Sequence, residues 1–167
     1  LVDSPTLKAY ANYYKNFAKT YHVQQQLESE IFKGKSIPAV AGLVEAMFMA
    51  ELKNGLLTAG HDYQTLQFPL TLDVASPDEQ YILMNGKEQA VKPGDMRISD
   101  MSGVISSIIH GPDLRTRIAA NTQKVVYVVY APPGIAREMV LQQLSDIYRY
   151  VKLFAPGVQM IEQQVLS

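Results

Sequence analysis

Apolar residues recur along the start of the chain with helical spacing. Leu7, Tyr10, Ala11, Tyr14, Phe17 and Ala18 fall at i, i+3, i+4, i+7, i+10 and i+11, which places them on one face of a helix. Ser4 is placed to cap that helix, and Pro5 suits its first position, where a missing N–H costs nothing. A shorter helix is expected from about Val23 to Lys33, stopped by Gly34. A third is expected to begin at Ser36 and Pro38 and to end at Gly55. Its apolar residues (Val40, Leu43, Val44, Met47, Phe48, Met49 and Leu52) go nearly all the way round, so it is predicted to be mostly buried. Glu45 stands inside that run.

The repeat then shortens. Leu70 to Val74 alternates as a half-buried strand does. Gln80 to Met84 and Lys87 to Val91 flank Asn85-Gly86, a strong hairpin signal, because a type I′ turn needs positive φ at both central residues. Pro93-Gly94-Asp95 marks another turn. Met96 to Ser99 and Val104 to Ile109 read as a strand pair joined around Gly103. Lys124 to Tyr130 is the most β-prone stretch, and its near-continuous apolar character predicts a central strand covered on both faces. Pro132-Pro133-Gly134 interrupts it. A last helix is expected from about Ile135 to Leu153, with Val140, Leu144, Ile147 and Val151 on one side and Pro156-Gly157 as its stop. The tail to Ser167 reads as a short helix or strand. Helices, then strands, then one helix predict an α+β fold with a mostly antiparallel sheet. Residues 1–167 are expected to form a single domain.

Composition narrows the function classes. An apolar fraction of 47% with 19% charged residues is ordinary for a globular chain and argues against general disorder. The longest apolar run, Ile37 to Met49, is broken by Glu45 and falls short of the roughly 20 residues of a membrane helix, so no membrane association is expected. The first residues lack the charged-then-apolar order of a secretory signal. Cysteine is absent, which excludes disulfides and thiolate metal sites and fits a cytoplasmic location. The formal net charge is −1, without the basic surplus of proteins that hold nucleic acid unaided. Any contact with RNA is therefore expected to be weak or assisted.

Several chemistries have no motif here. Neither a G-x-x-x-x-G-K nor a G-x-G-x-x-G phosphate loop occurs, nor His-Glu-x-x-His, nor a G-x-S-x-G elbow. The 3 histidines, His22, His61 and His110, are scattered. No metal and no cofactor are expected.

Two stretches carry a family resemblance. The first runs from Lys33-Gly-Lys-Ser-Ile-Pro-Ala-Val-Ala-Gly-Leu-Val-Glu45 through Glu51-Leu-Lys-Asn-Gly55 to Gly60-His-Asp62. The second joins Asn85-Gly-Lys-Glu88, Pro93-Gly-Asp-Met-Arg-Ile-Ser-Asp100, Gly111-Pro-Asp-Leu-Arg-Thr-Arg117 and Thr122-Gln-Lys-Val-Val126. Together they resemble the editing (tRNA-binding) domain of the phenylalanyl-tRNA synthetase β subunit, above all its free-standing relatives, over roughly Asp3 to Ile135. The resemblance implies an α+β fold around a β-sandwich-like core. It also implies removal of tyrosine mistakenly attached to phenylalanine tRNA, through a pocket that recognises the phenol hydroxyl. Residue by residue, Ala41 stands in the place of a family Asn, Glu45 in that of an Asp, Phe48 in that of a second Asn, and Ala59 in that of a His. Asp113 is nearest to the family's pocket carboxylate.

Each candidate residue has two readings. Glu45 is a pocket carboxylate on a buried helix, or it lies on that helix's one solvated stripe. His61 and Asp62 follow the helix in a loop. There His61 is a general base or a surface residue, and Asp62 is a site residue or the cap of the turn Tyr63 to Leu66. Asp113, Arg115, Thr116 and Arg117 form the most polar cluster between two strands. Arg115 and Arg117, two apart in an extended segment, would point the same way and hold a phosphate or carboxylate, or else close a salt-bridged strand end. Tyr10, Tyr13 and Tyr14 are read as base-stacking residues or, for Tyr10 and Tyr14 in particular, as core.

Two functions follow. The first is a domain that binds an aminoacyl-tRNA end or a small amino-acid-like ligand. If it is catalytic, it hydrolyses the aminoacyl ester in trans, with His61, Asp113 and Glu45 around the water and Asp62, Arg115, Thr116 and Arg117 around the ligand. The second is a binding module that keeps the fold without the chemistry, to which the replaced Asn and His positions point.

Overall fold

The computed structural model describes residues 4–21 and 41–166. The chain divides into two compact units, Leu1–Thr58 with Val129–Ser167, and Ala59–Val128. The expected helix from Val23 to Lys33 and the expected helix start at Ser36 and Pro38 lie outside the described residues.

The described part of the first unit is helical: α1 (Pro5–Lys15), α2 (Gly42–Asn54) and α3 (Arg137–Phe154). Pro5 opens α1 as expected, with Ser4 extended before it, although no side chain caps that end. Its buried residues are Thr6, Leu7, Ala9, Tyr10 and Tyr14. Ala11 and Ala18 are exposed, and Ala18 lies beyond the helix in left-handed backbone at φ 54°. The apolar stripe is thus rotated toward Thr6 and Ala9, because small residues allow close approach without carrying hydropathy.

Tyr10 and Tyr14 of α1 are core, and Tyr13 is half-buried. Tyr10 stacks on Tyr21 with ring centroids 4.3 Å apart. Its hydroxyl donates to the Tyr130 carbonyl and accepts the Leu57 N–H at 3.0 Å, while the Tyr21 hydroxyl donates to the Gly55 carbonyl at 2.7 Å.

Helix α2 begins at Gly42, after an extended Ala41, and ends on Gly55 in the left-handed conformation at φ 71°, the usual work of a terminal glycine. It is less enclosed than its composition predicts. Ala46, Met47, Ala50 and Glu51 are buried, and Met49 is exposed. Its buried acid is Glu51, not Glu45, which sits half-buried in the first turn. Helix α3 packs on α2 and buries Val140, Ile147 and Val151 together with Gln143 and Asp146.

The second unit is built from antiparallel strands. Its largest sheet has the order β2 (Thr71–Val74), β5 (Met96–Asp100), β6 (Gly103–Ser107), β7 (Gly111–Pro112), with Leu72 opposite Ile98 and Ile98 opposite Ser106. β3 (Gln80–Ile82) and β4 (Glu88–Ala90) form the expected hairpin. Only Gly86 in its turn has positive φ, at 79°, so the turn is not type I′. Tyr81, Val91, Val104 and Ala75 make one buried cluster. β2 is exposed throughout, against the expected alternation, because it lies at the sheet edge.

β1 (Thr58–Asp62) pairs with β8 (Val125–Val129) in a two-stranded sheet. β8 is half-buried along its length, not the fully covered strand its composition predicts. The α+β class with antiparallel sheets is what the chain forms. Among the described residues no helix is long and apolar enough to cross a membrane.

Candidate functional site

Strand β1 is buried at every residue, and His61 is completely inaccessible. It is neither a loop residue nor a surface one, as a sequence of Thr, Ala, Gly, His and Asp suggested. The segment after β7 runs beside it. His61 pairs with Arg117, and the Asp62 N–H donates to the Thr116 carbonyl at 2.8 Å. That segment is tied on its other side as well. The Asp113 N–H donates to Ile105 of β6 at 2.8 Å, and the Leu114 N–H to Ile82 of β3 at 2.9 Å. Backbone bonds from three strands therefore fix where Asp113 and Thr116 present their side chains.

Those side chains form a relay. The Thr116 amide and hydroxyl both donate to Asp113 Oδ1, the amide at 3.1 Å. Thr116 Oγ1 lies 2.7 Å from His61 Nδ1. A threonine hydroxyl has one proton, and here Asp113 receives it. With Asp113 ionised, this pattern assigns the ring proton to Nδ1, donating to Thr116, and leaves Nε2 with a bare lone pair. Nε2 is buried and has no hydrogen-bond partner among the described residues. An unspent buried acceptor is uncommon, since buried polar groups are nearly always paired.

The electrostatics keep the ring neutral. Burial, then the Arg115 guanidinium, push the His61 pKa down to about 4, against a smaller upward pull from Asp100. Burial also raises the Asp113 pKa, opposed by the Thr116 donors and Arg115. Arg115 Nε is 3.8 Å from Asp113 Oδ2, but its tighter pair is Asp100, at 2.8 Å. Asp100 is buried, which alone would raise its pKa. The amides of Gln67 and Ser102 and the Arg115 cation outweigh this and lower it.

Of the sequence candidates, His61, Thr116 and Asp113 come together. Asp62 caps the short 3-10 turn Tyr63–Thr65, accepting the Gln64 N–H at 3.0 Å, and takes the Thr122 hydroxyl at 2.7 Å on its other oxygen. Arg115 and Arg117 do not lie in an extended segment. The chain turns at Arg115 and Thr116, and each guanidinium has its own partner: Asp100 and the Thr65 carbonyl for Arg115, the Leu114 carbonyl for Arg117. Glu45 belongs to the other unit. Asp100, which orders Arg115, has no motif in the sequence that marks it. Its position at a strand end before Met101-Ser102-Gly103 was the available signal. Among the described residues no group of three His, Asp or Glu side chains could hold a metal ion.

The family model described as the B3/4 domain matches residues 6–152. No curated protein matches the chain.

Proposed function

The chain belongs to the B3/4 domain family, the domain type found in the editing region of the phenylalanyl-tRNA synthetase β subunit, and on that premise we propose that it binds the aminoacyl end of a tRNA and hydrolyses a mischarged ester. The observation that carries this reading is the bare Nε2 of His61, held by Thr116 and Asp113. A neutral imidazole with one lone pair free can accept a proton from water. Water oxygen would attack the ester carbonyl while its proton passes to Nε2. The carbon–oxygen bond to ribose then breaks, and the same proton leaves with the ribose hydroxyl. The products are the free amino acid and uncharged tRNA. Charge gained by the ring is met through Nδ1–H, the Thr116 hydroxyl and Asp113, an orienting arrangement like that of hydrolytic triads. An amino-acid-like ligand would meet the same groups.

One observation favours a second reading, a binding module without turnover. His61 has no solvent-accessible surface, so water reaches Nε2 only if neighbouring side chains move. A pKa of about 4 also makes the ring a weak base near neutral pH. Incubation with tRNAs mischarged with tyrosine, phenylalanine and other amino acids separates the two. Hydrolysis above buffer that disappears in His61→Gln supports the first reading. Binding of the charged end with no hydrolysis of any ester supports the second.

A further inference from the structure

The relay ends at Asp113, a buried carboxylate. Among the described residues its one ion pair is with Arg115, whose Nε lies 3.8 Å from Oδ2. Arg115 is held short of a closer approach, because its guanidinium is fixed from the other side. It donates to Asp100 Oδ1 at 2.8 Å and to the Thr65 carbonyl at 3.0 Å. Asp100 is in turn fixed by the backbone. The Gln67 N–H donates to one of its oxygens at 2.9 Å and the Ser102 N–H to the other at 2.8 Å. The end of β5 and the turns at Thr65 and Ser102 therefore place the cation, not the relay it faces.

We propose that Arg115, set in place by Asp100, is a positioning residue that keeps His61 Nε2 bare by holding Asp113 ionised. With Asp113 charged, the relay carries one proton on the Thr116 hydroxyl and one on His61 Nδ1. Without the cation, the buried carboxylate draws in a further proton, which has two places to go. If Asp113 takes it, Asp113 donates to Thr116 and Thr116 turns its hydroxyl toward Nδ1. The neutral ring must then carry its own proton on Nε2. If the ring takes it, Nε2 is protonated directly. Both routes remove the acceptor. Burial favours the first route at Asp113, and the Arg115 guanidinium opposes both, at Asp113 and at the ring. The Asp100 charge pulls the other way on both groups, so its part is to fix the cation. The inference rests on the reading of His61 as the acceptor of a hydrolytic site and specifies what maintains it.

Proton–nitrogen NMR of the His61 ring in the full chain, titrated from about pH 8 to about pH 3, reads the proton on Nε2 without any substrate. In Arg115→Gln the midpoint of Nε2 protonation is expected to rise by about one pH unit or more, a tenfold gain in proton affinity. Arg115→Lys keeps the charge but not the planar fork, and should recover about half of that rise. Asp100→Asn removes the opposing carboxylate and leaves the cation beside Asp113, so its midpoint should stay at or below that of the wild type. The Arg115 side chain is 37% exposed, so its replacements can hydrate, and a thermal melt shows that each variant folds. Loosened packing alone would let water reach the ring in Asp100→Asn as well. A rise there equal to that of Arg115→Gln overturns the inference, and so does an Arg115→Gln midpoint equal to that of the wild type. In both cases a bare Nε2 in the wild type leaves the hydrolytic reading standing. A wild-type ring with its proton on Nε2 at neutral pH removes that reading and this inference together.

Discussion

Asp146 in the first unit and His61 in the second are both fully buried, yet one is crowded with partners and the other is not. The Asp146 carboxylate receives Lys53 at 2.8 and 2.9 Å, Asn54 at 3.1 Å, Gln142 at 3.0 Å and Arg149 at 3.3 Å. Burial alone would raise its pKa, but these donors pull it down to about 2. It clamps α2 to α3, and its charge is spent on structure. His61 spends Nδ1 on Thr116 and leaves Nε2 unspent. Burial alone therefore does not mark a site. What distinguishes His61 from Asp146 is the bonding capacity left on Nε2, whose desolvation on folding has no return among the described residues.

The comparison predicts where damage is greatest. Asp146→Ala should cost about 3 kcal/mol in denaturant unfolding, near the low end for a broken buried ion pair, because Lys53 is 45% exposed and can regain water. A loss under about 1 kcal/mol would show that the clamp is not structural. Thr116→Val should cost about 2 kcal/mol, since it removes one donor from the buried Asp113 carboxylate and the acceptor of the Nδ1–H. Thr116→Ser keeps the hydroxyl and should restore most of that stability. If Val and Ser behave alike, the relay is not a relay.

Two buried groups should make the pH profile bend in opposite directions. Burial raises the Glu51 pKa from 4.5 to about 8, despite the Thr58 N–H it accepts. The folded state then holds a proton that the unfolded state has released. The stabilisation from Glu51 is complete below 4.5 and is lost as pH rises through about 8. His61 runs the other way. Its folded pKa of about 4 lies below the ordinary 6.5, so its stabilisation is present above 6.5 and lost as pH falls through about 4. Glu51→Gln should remove the alkaline decline and His61→Gln the acid one, each with a slope on the order of 1 kcal/mol per pH unit. Melts of the wild type and both variants across that range would show it. The smallest effect is expected at Gly55→Ala. There φ of 71° and a new Cβ 3.4 Å from Leu7 should cost about 1 kcal/mol, measured in the same melts.

The fold was more legible in the sequence than the site. Periodicity located α1 and α3, and the turn glycines located the β3–β4 hairpin and the β5–β6 pair, because local backbone preference and pattern agree there. β1 was missed because Thr58-Ala-Gly-His-Asp62 has neither alternation nor β-branched content beyond Thr58. Its pairing with β8 and with Arg117 makes it a strand. His61, Asp113 and Thr116 were picked out one by one, from residue type and loop context. Their connection was invisible, because it depends on the turn at Arg115 that brings Thr116 back beneath Asp113. Glu45 drew attention from its apolar neighbours, whereas the helix rotates Glu51 inward instead. A helical period with apolar residues on every side does not say which face is covered.

Proton–nitrogen NMR correlations of the His61 ring, followed from about pH 8 down to about pH 4, test the relay most directly. The structure predicts a proton on Nδ1, a bare Nε2, and no conversion to imidazolium until the pH approaches about 4. A proton on Nε2, or a charged ring near pH 6.5, would mean that Thr116 and Asp113 do not hold the imidazole as an acceptor.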